Sequence, residues 1–89
     1  MEDNAILNVT PFLAETIMSG KLTVWTSNAD VPVGGYFQVD QGKETLGFLK
    51  VLSKEEQSPN IWVYEFILER SLREEALLIE RLKRLGYVE

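Results

Sequence analysis

Apolar and polar residues recur along the chain at two different spacings, and these divide it into strands and helices. From Ile61 to Leu68 the period is two, with Trp62, Tyr64 and Phe66 on one face and Ile61, Val63, Glu65 and Ile67 on the other. Both sets carry apolar side chains, as expected for a central strand covered on both faces. Leu22–Ser27 is rich in β-branched and aromatic residues and predicts an earlier strand. Tyr36–Asp40 and Thr45–Leu52 predict two more, joined by the turn Asp40-Gln41-Gly42-Lys43, where glycine supplies a positive φ. Gly34-Gly35 predicts a bend before the second of these strands, and Gly47 a bulge or a close approach within the third. Lys54–Asn60 is polar, contains Pro59, and predicts a mobile loop.

Two segments have helical spacing. Thr10-Pro11 is an N-cap followed by proline at the first helical position, where its missing N–H costs nothing. Phe12, Leu13, Ile17 and Met18 then form one apolar face, ended by Ser19-Gly20. Ser71-Leu72-Arg73-Glu74 is a capping box, and Leu72, Ala76, Ile79 and Leu82 follow at helical intervals, widened by Leu78 and Leu85. Glu74 and Glu75 lie near the positive end of that helix dipole, Lys83 and Arg84 near the negative end, and Gly86 terminates it. Leu77 falls outside the stripe, and Tyr87-Val88 follow the helix end. The predicted order is helix, four strands, helix. That order defines an α+β fold, a small antiparallel, partly closed barrel with a short N-terminal and a C-terminal helix. The whole chain, 1–89, is expected to form one domain, with 1–8 flexible.

Composition narrows the functional classes. Nine basic and fourteen acidic residues leave a net charge of −5, which disfavours generic coating of duplex DNA, where a basic footprint supplies most of the affinity. There is no cysteine, so disulfides and thiolate zinc sites are excluded. Histidine is also absent, which removes the commonest general base and metal ligand. Met1-Glu2-Asp3-Asn4 is acidic where a secretory leader would be basic, and the expected location is the cytoplasm.

Pro11-Phe12-Leu13-Ala14-Glu15-Thr16-Ile17-Met18-Ser19-Gly20-Lys21-Leu22-Thr23-Val24 resembles the opening of an ASCH domain, a branch of the PUA-like β-barrel superfamily. Val33-Gly34-Gly35-Tyr36-Phe37-Gln38-Val39 is similar to the family's glycine turn and following strand, and Leu46-Gly47-Phe48-Leu49-Lys50-Val51 to the strand after that. About half the chain is covered. The resemblance implies a PUA-like barrel that binds RNA or a nucleotide between the first helix and the barrel. The family pattern places lysine two residues and arginine seven residues after the helix-ending glycine; Leu22 and Ser27 stand there in this chain. Trp25 occupies the position of the threonine found in amidohydrolase members. The expectation therefore leans away from an enzyme.

Lys21, Thr23, Trp25 and Ser27 form the candidate ligand-binding set. Lysine would hold a phosphate, Thr23 and Ser27 would hydrogen-bond, and a base would stack on the indole. The plain alternative is a solvated lysine after a helix cap, with Trp25 in the core. Trp62, Tyr64 and Phe66 have the same two readings, a stacking platform or the inner face of a sheet. The mixed charges from Arg70 to Arg84 fit a solvated helix face or a contact with an acidic partner. Glu55-Glu56 and Glu74-Glu75 do not converge as hard-cation ligands do, so neither a metal nor a cofactor is expected. A wide apolar helix on so small a body suggests a dimer seam. The alternative function is accordingly a non-catalytic protein–protein interaction domain, homodimeric through the C-terminal helix.

Overall fold

The computed structural model describes residues 4–87. In chain order the elements are β1 (Asn4–Asn8), α1 (Pro11–Met18), β2 (Val24–Ser27), β3 (Tyr36–Gln41), β4 (Glu44–Ser58), β5 (Ile61–Ser71) and α2 (Leu72–Arg84). The five strands form one sheet in the order β1-β3-β4-β5-β2. Its central three strands are an antiparallel meander, β2 adds antiparallel to β5, and β1 adds parallel to β3. The fold is thus α+β, and the sheet curls into a half-barrel.

Three features differ from the sequence expectation. The sheet is mixed rather than antiparallel, because Asn4–Asn8 is a strand, with Asn4 opposite Tyr36 and Asn8 opposite Asp40. Of the 1–8 segment expected to be flexible, residues 1–3 lie outside the described residues. The polar stretch expected as a loop is instead strand: β4 runs to Ser58, and Lys54, Glu55 and Glu56 pair with Tyr64, Val63 and Trp62. Only Pro59-Asn60 turns, with Asn60 at a φ of 64°. On α1, Phe12 is 83% exposed, while Ala14, Ile17 and Met18 are buried. The face that packs is the i, i+3, i+4 triplet beginning at Ala14, and the first-turn Phe12 lies outside it.

The core fills the hollow of the curled sheet beneath α1. Phe37 and Val39 of β3, Leu46, Leu49 and Val51 of β4, and Tyr64 and Phe66 of β5 are buried against Val9, Ala14, Ile17, Met18 and Val31. Phe37 meets Tyr64 edge-on, with centroids 4.9 Å apart and planes at 77°, the geometry aromatic quadrupoles favour. Gly47 is required where β4 passes β5: a Cβ there would lie 2.3 Å from the Arg70 carbonyl oxygen and 2.9 Å from Met18 Cε. The helix caps are formed as the sequence predicts. Thr10 Oγ1 accepts from the Leu13 N–H, Ser71 Oγ accepts from the Glu74 N–H at 3.2 Å, and Gly20 and Gly86 take positive φ after their helices.

The core does not extend under α2. That helix has no buried residue, and Leu77, Leu78, Ile79 and Leu85 are each about half exposed or more. The β4–β5 hairpin also forms an arm that runs beyond β3, whose pairing with β4 ends at Lys50. The extents are 53 × 25 × 22 Å and the Cα radius of gyration is 14.9 Å, against about 12 Å for a compact chain of this length.

Candidate functional site

The four sequence-predicted residues lie on β2 and the segment leading into it. Lys21 and Thr23 are exposed, and the Thr23 carbonyl accepts from the Phe66 N–H, extending the β2–β5 ladder. Trp25 is half-buried, lies opposite Tyr64 and packs on the core. Ser27 Oγ accepts from the Ala29 N–H at 3.1 Å, so its hydroxyl already shapes the following turn. Trp62 is likewise half-buried against the core. The indoles of Trp25 and Trp62 line the inner face of the arm rather than standing free as a platform.

Sequence reasoning missed what gathers on that same face. The Lys54 ammonium pairs with Asp30 and lies 4.7 Å from the centroid of the Trp62 ring and 5.9 Å from that of Tyr64. Its side chain is only 16% exposed, so its charge is partly desolvated and held by one carboxylate and one indole face. The buried Tyr64 hydroxyl donates to the Ala29 carbonyl and accepts from the Val31 N–H at 3.0 Å. Lys54 and Tyr64 together tie the 28–33 loop to the arm. The only sequence signal was alternation: on a strand, Lys54 falls on the same face as Glu56.

A concavity lies on the other side of the sheet, at the foot of α2. Tyr36, Phe48, Glu69, Arg70 and Glu75 line an open cleft of about 480 Å3. Arg70 Nε donates to Glu75 Oε1 at 2.8 Å, and that carboxylate raises the guanidinium pKa further. Glu69 raises the Tyr36 phenol above its ordinary value of 10, first by hydrogen bonding and then by its charge. Two carboxylates against one guanidinium leave the cleft net negative beside two aromatic walls.

A second, smaller cleft of about 300 Å3 separates the helices, between Glu15, Met18 and Ser19 of α1 and its cap and Arg73, Glu74 and Leu77 of α2. Arg73 and Glu15 approach to 3.9 Å across it, a solvent-exposed pair of little energetic weight. Neither cleft includes Lys21, Thr23, Trp25 or Ser27. No helix among the described residues is long and apolar enough to cross a membrane.

The half-barrel with a capping helix and one projecting helix defines the structural class. Compared with protein-family models and with curated proteins, the sequence gives no match.

Proposed function

We propose that this protein is a non-catalytic interaction domain that self-associates through α2. One observation carries the reading: the helix is strongly amphipathic yet buries none of its residues in its own chain. An isolated helix of 13 residues is marginal in water, because most helical stability in proteins comes from packing an apolar face. Leu78, Ile79 and Leu85 stay 54%, 47% and 65% exposed, forming a contiguous apolar surface of the kind that marks contact sites.

Sedimentation equilibrium tests it. The wild-type chain shifts from monomer to dimer with rising concentration, and Leu78→Glu stays monomeric with unchanged far-UV circular dichroism. A wild-type chain that stays monomeric at high concentration overturns the reading.

The PUA-like reading, with RNA or a nucleotide held by Lys21, Thr23, Trp25 and Ser27, keeps the support of two observations. The sheet is a half-barrel with α1 over its hollow, and Lys21 and Thr23 are exposed on the segment that joins α1 to β2. It has less support than self-association, because Trp25 packs on the core and Ser27 is engaged by its own turn. RNA-oligonucleotide binding that disappears in Lys21→Ala supports it; binding unchanged in both Lys21→Ala and Trp25→Ala removes it.

A further inference from the structure

We infer that the partner of α2 is the α2 of a second copy running antiparallel to it, so that each helix delivers its basic last turn to the acidic cleft at the foot of the other. The inference rests on the self-association proposed above and adds direction and register to it.

The charge is segregated along the helix. The first turn holds Glu74 and Glu75, with Arg73 directed to Glu15 of α1, and the last holds Arg81, Lys83 and Arg84 against the single Glu80. This placement suits the helix's own dipole, and it also makes the helix self-complementary in one direction only. Side by side and parallel, two copies oppose carboxylates to carboxylates and three cations to three cations. Antiparallel, each acidic turn faces a basic one. A two-fold interface repeats that match, because the same patch serves on both subunits.

The cleft and the apolar stripe occupy one face. Glu75 lines the cleft, and Leu78, Ile79 and Leu82 follow it by three, four and seven residues, the spacing of one helical face. Leu85 continues the row. A partner helix laid along this row reaches the foot of α2, where Phe48 and Tyr36 supply apolar walls and Glu69 and Glu75 outnumber Arg70. Arginine and lysine suit such a cleft, because their alkyl stems cover aromatic surface while the charge meets a carboxylate. The contact with the sheet also extends an interface that a helix of under two heptads makes small on its own.

With the two-fold axis between residues 78 and 79, Leu72 of one copy lies beside Leu85 of the other. In a parallel pair these positions are separated by 13 residues of helix, about 20 Å at 1.5 Å per residue. A disulfide needs Cα atoms within about 7 Å. The chain contains no cysteine, so each introduced one is unique.

Leu85→Cys, Leu72→Cys and their equimolar mixture are oxidised under conditions where sedimentation shows the wild type to be dimeric. Cross-linking in the mixture at several times the level of either protein alone is the expected result. Leu85→Cys linking to itself, or no link in any sample, overturns the antiparallel arrangement and leaves self-association standing. A monomeric wild type, including one that binds only an unrelated protein, overturns both. A second measurement does not depend on Leu72, which is half-buried. The reversed variant E74K/E75K/R81E/K83E/R84E pairs with itself about as tightly as the wild type does, and the two exclude one another from mixed dimers. Preferential mixing of the two overturns the inference.

Discussion

The Tyr64 hydroxyl shows how much depends on one side-chain oxygen. It lies among apolar residues and serves two backbone groups of the 28–33 loop, the Ala29 carbonyl and the Val31 N–H. Tyr64→Phe keeps the ring and its edge-on contact with Phe37 but leaves both backbone groups without this partner. The expected cost is about 2 kcal/mol, because the penalty for an unsatisfied buried polar group exceeds the net value of the bond. Urea unfolding measures it, and faster amide exchange at Val31 places it in the loop. Tyr36, on the opposite face, reports charge instead. Its pKa is raised by Glu69, so the protonated phenol is the form that favours the fold. That contribution is fully present below pH 10 and declines as pH rises through the folded-state value. In Glu69→Gln the phenolate absorbance of Tyr36 titrates at lower pH, nearer 10 than in the wild type.

Among the elements, α1 gives the sharpest contrast between two apolar residues on one short helix. Ile17 is 1% exposed and Phe12 is 83% exposed. Ile17→Ala is expected to cost about 3 kcal/mol, through lost transfer energy and the cavity left behind. Phe12→Ala is expected to stay within about 0.5 kcal/mol, as for a surface position. Thermal and urea denaturation of the two variants checks the pair.

The caps at Thr10 and Ser71, the turn at Gly42 and the facing of β5 were legible in the sequence because each rests on local chemistry. The extension of β4 through Lys54-Glu55-Glu56-Gln57 was not. Those residues have little strand preference of their own and are held by pairing with Trp62, Val63 and Tyr64 of β5, a tertiary effect that overrides propensity. β1 was hidden for a related reason. Ala5 and Leu7 pack on the core, but the intervening Ile6 is apolar too, which blurs the alternation that marks a strand. The candidate site was legible in its facing and not in its partners. Trp25 and Ser27 could be placed on one strand, whereas Asp30, Lys54 and Trp62 come together only through the register of β4 on β5.

For the whole molecule, the arm and the projecting helix make the described chain longer than its size requires, and the charged turns of α2 are left open to solvent. The antiparallel pairing therefore predicts sensitivity to salt. Raising ionic strength from about 0.1 M to about 1 M shortens the Debye length from about 10 Å to about 3 Å. The dimer dissociation constant is expected to rise several-fold, as read by sedimentation at the two salts. An unchanged constant would mean that the apolar row alone holds the pair.

Both outer strands pair with distant parts of the chain. Val24 lies opposite Glu65, and Asn4 opposite Tyr36, whereas the inner three strands are joined by tight turns. A ribosome thus releases the strand at Asn4–Asn8 before the surface it must lie against has been made. The central hairpins can zip as soon as they emerge, because their loops are short to close. The earliest strand of the sheet to be synthesised has to wait for a neighbour made more than thirty residues later.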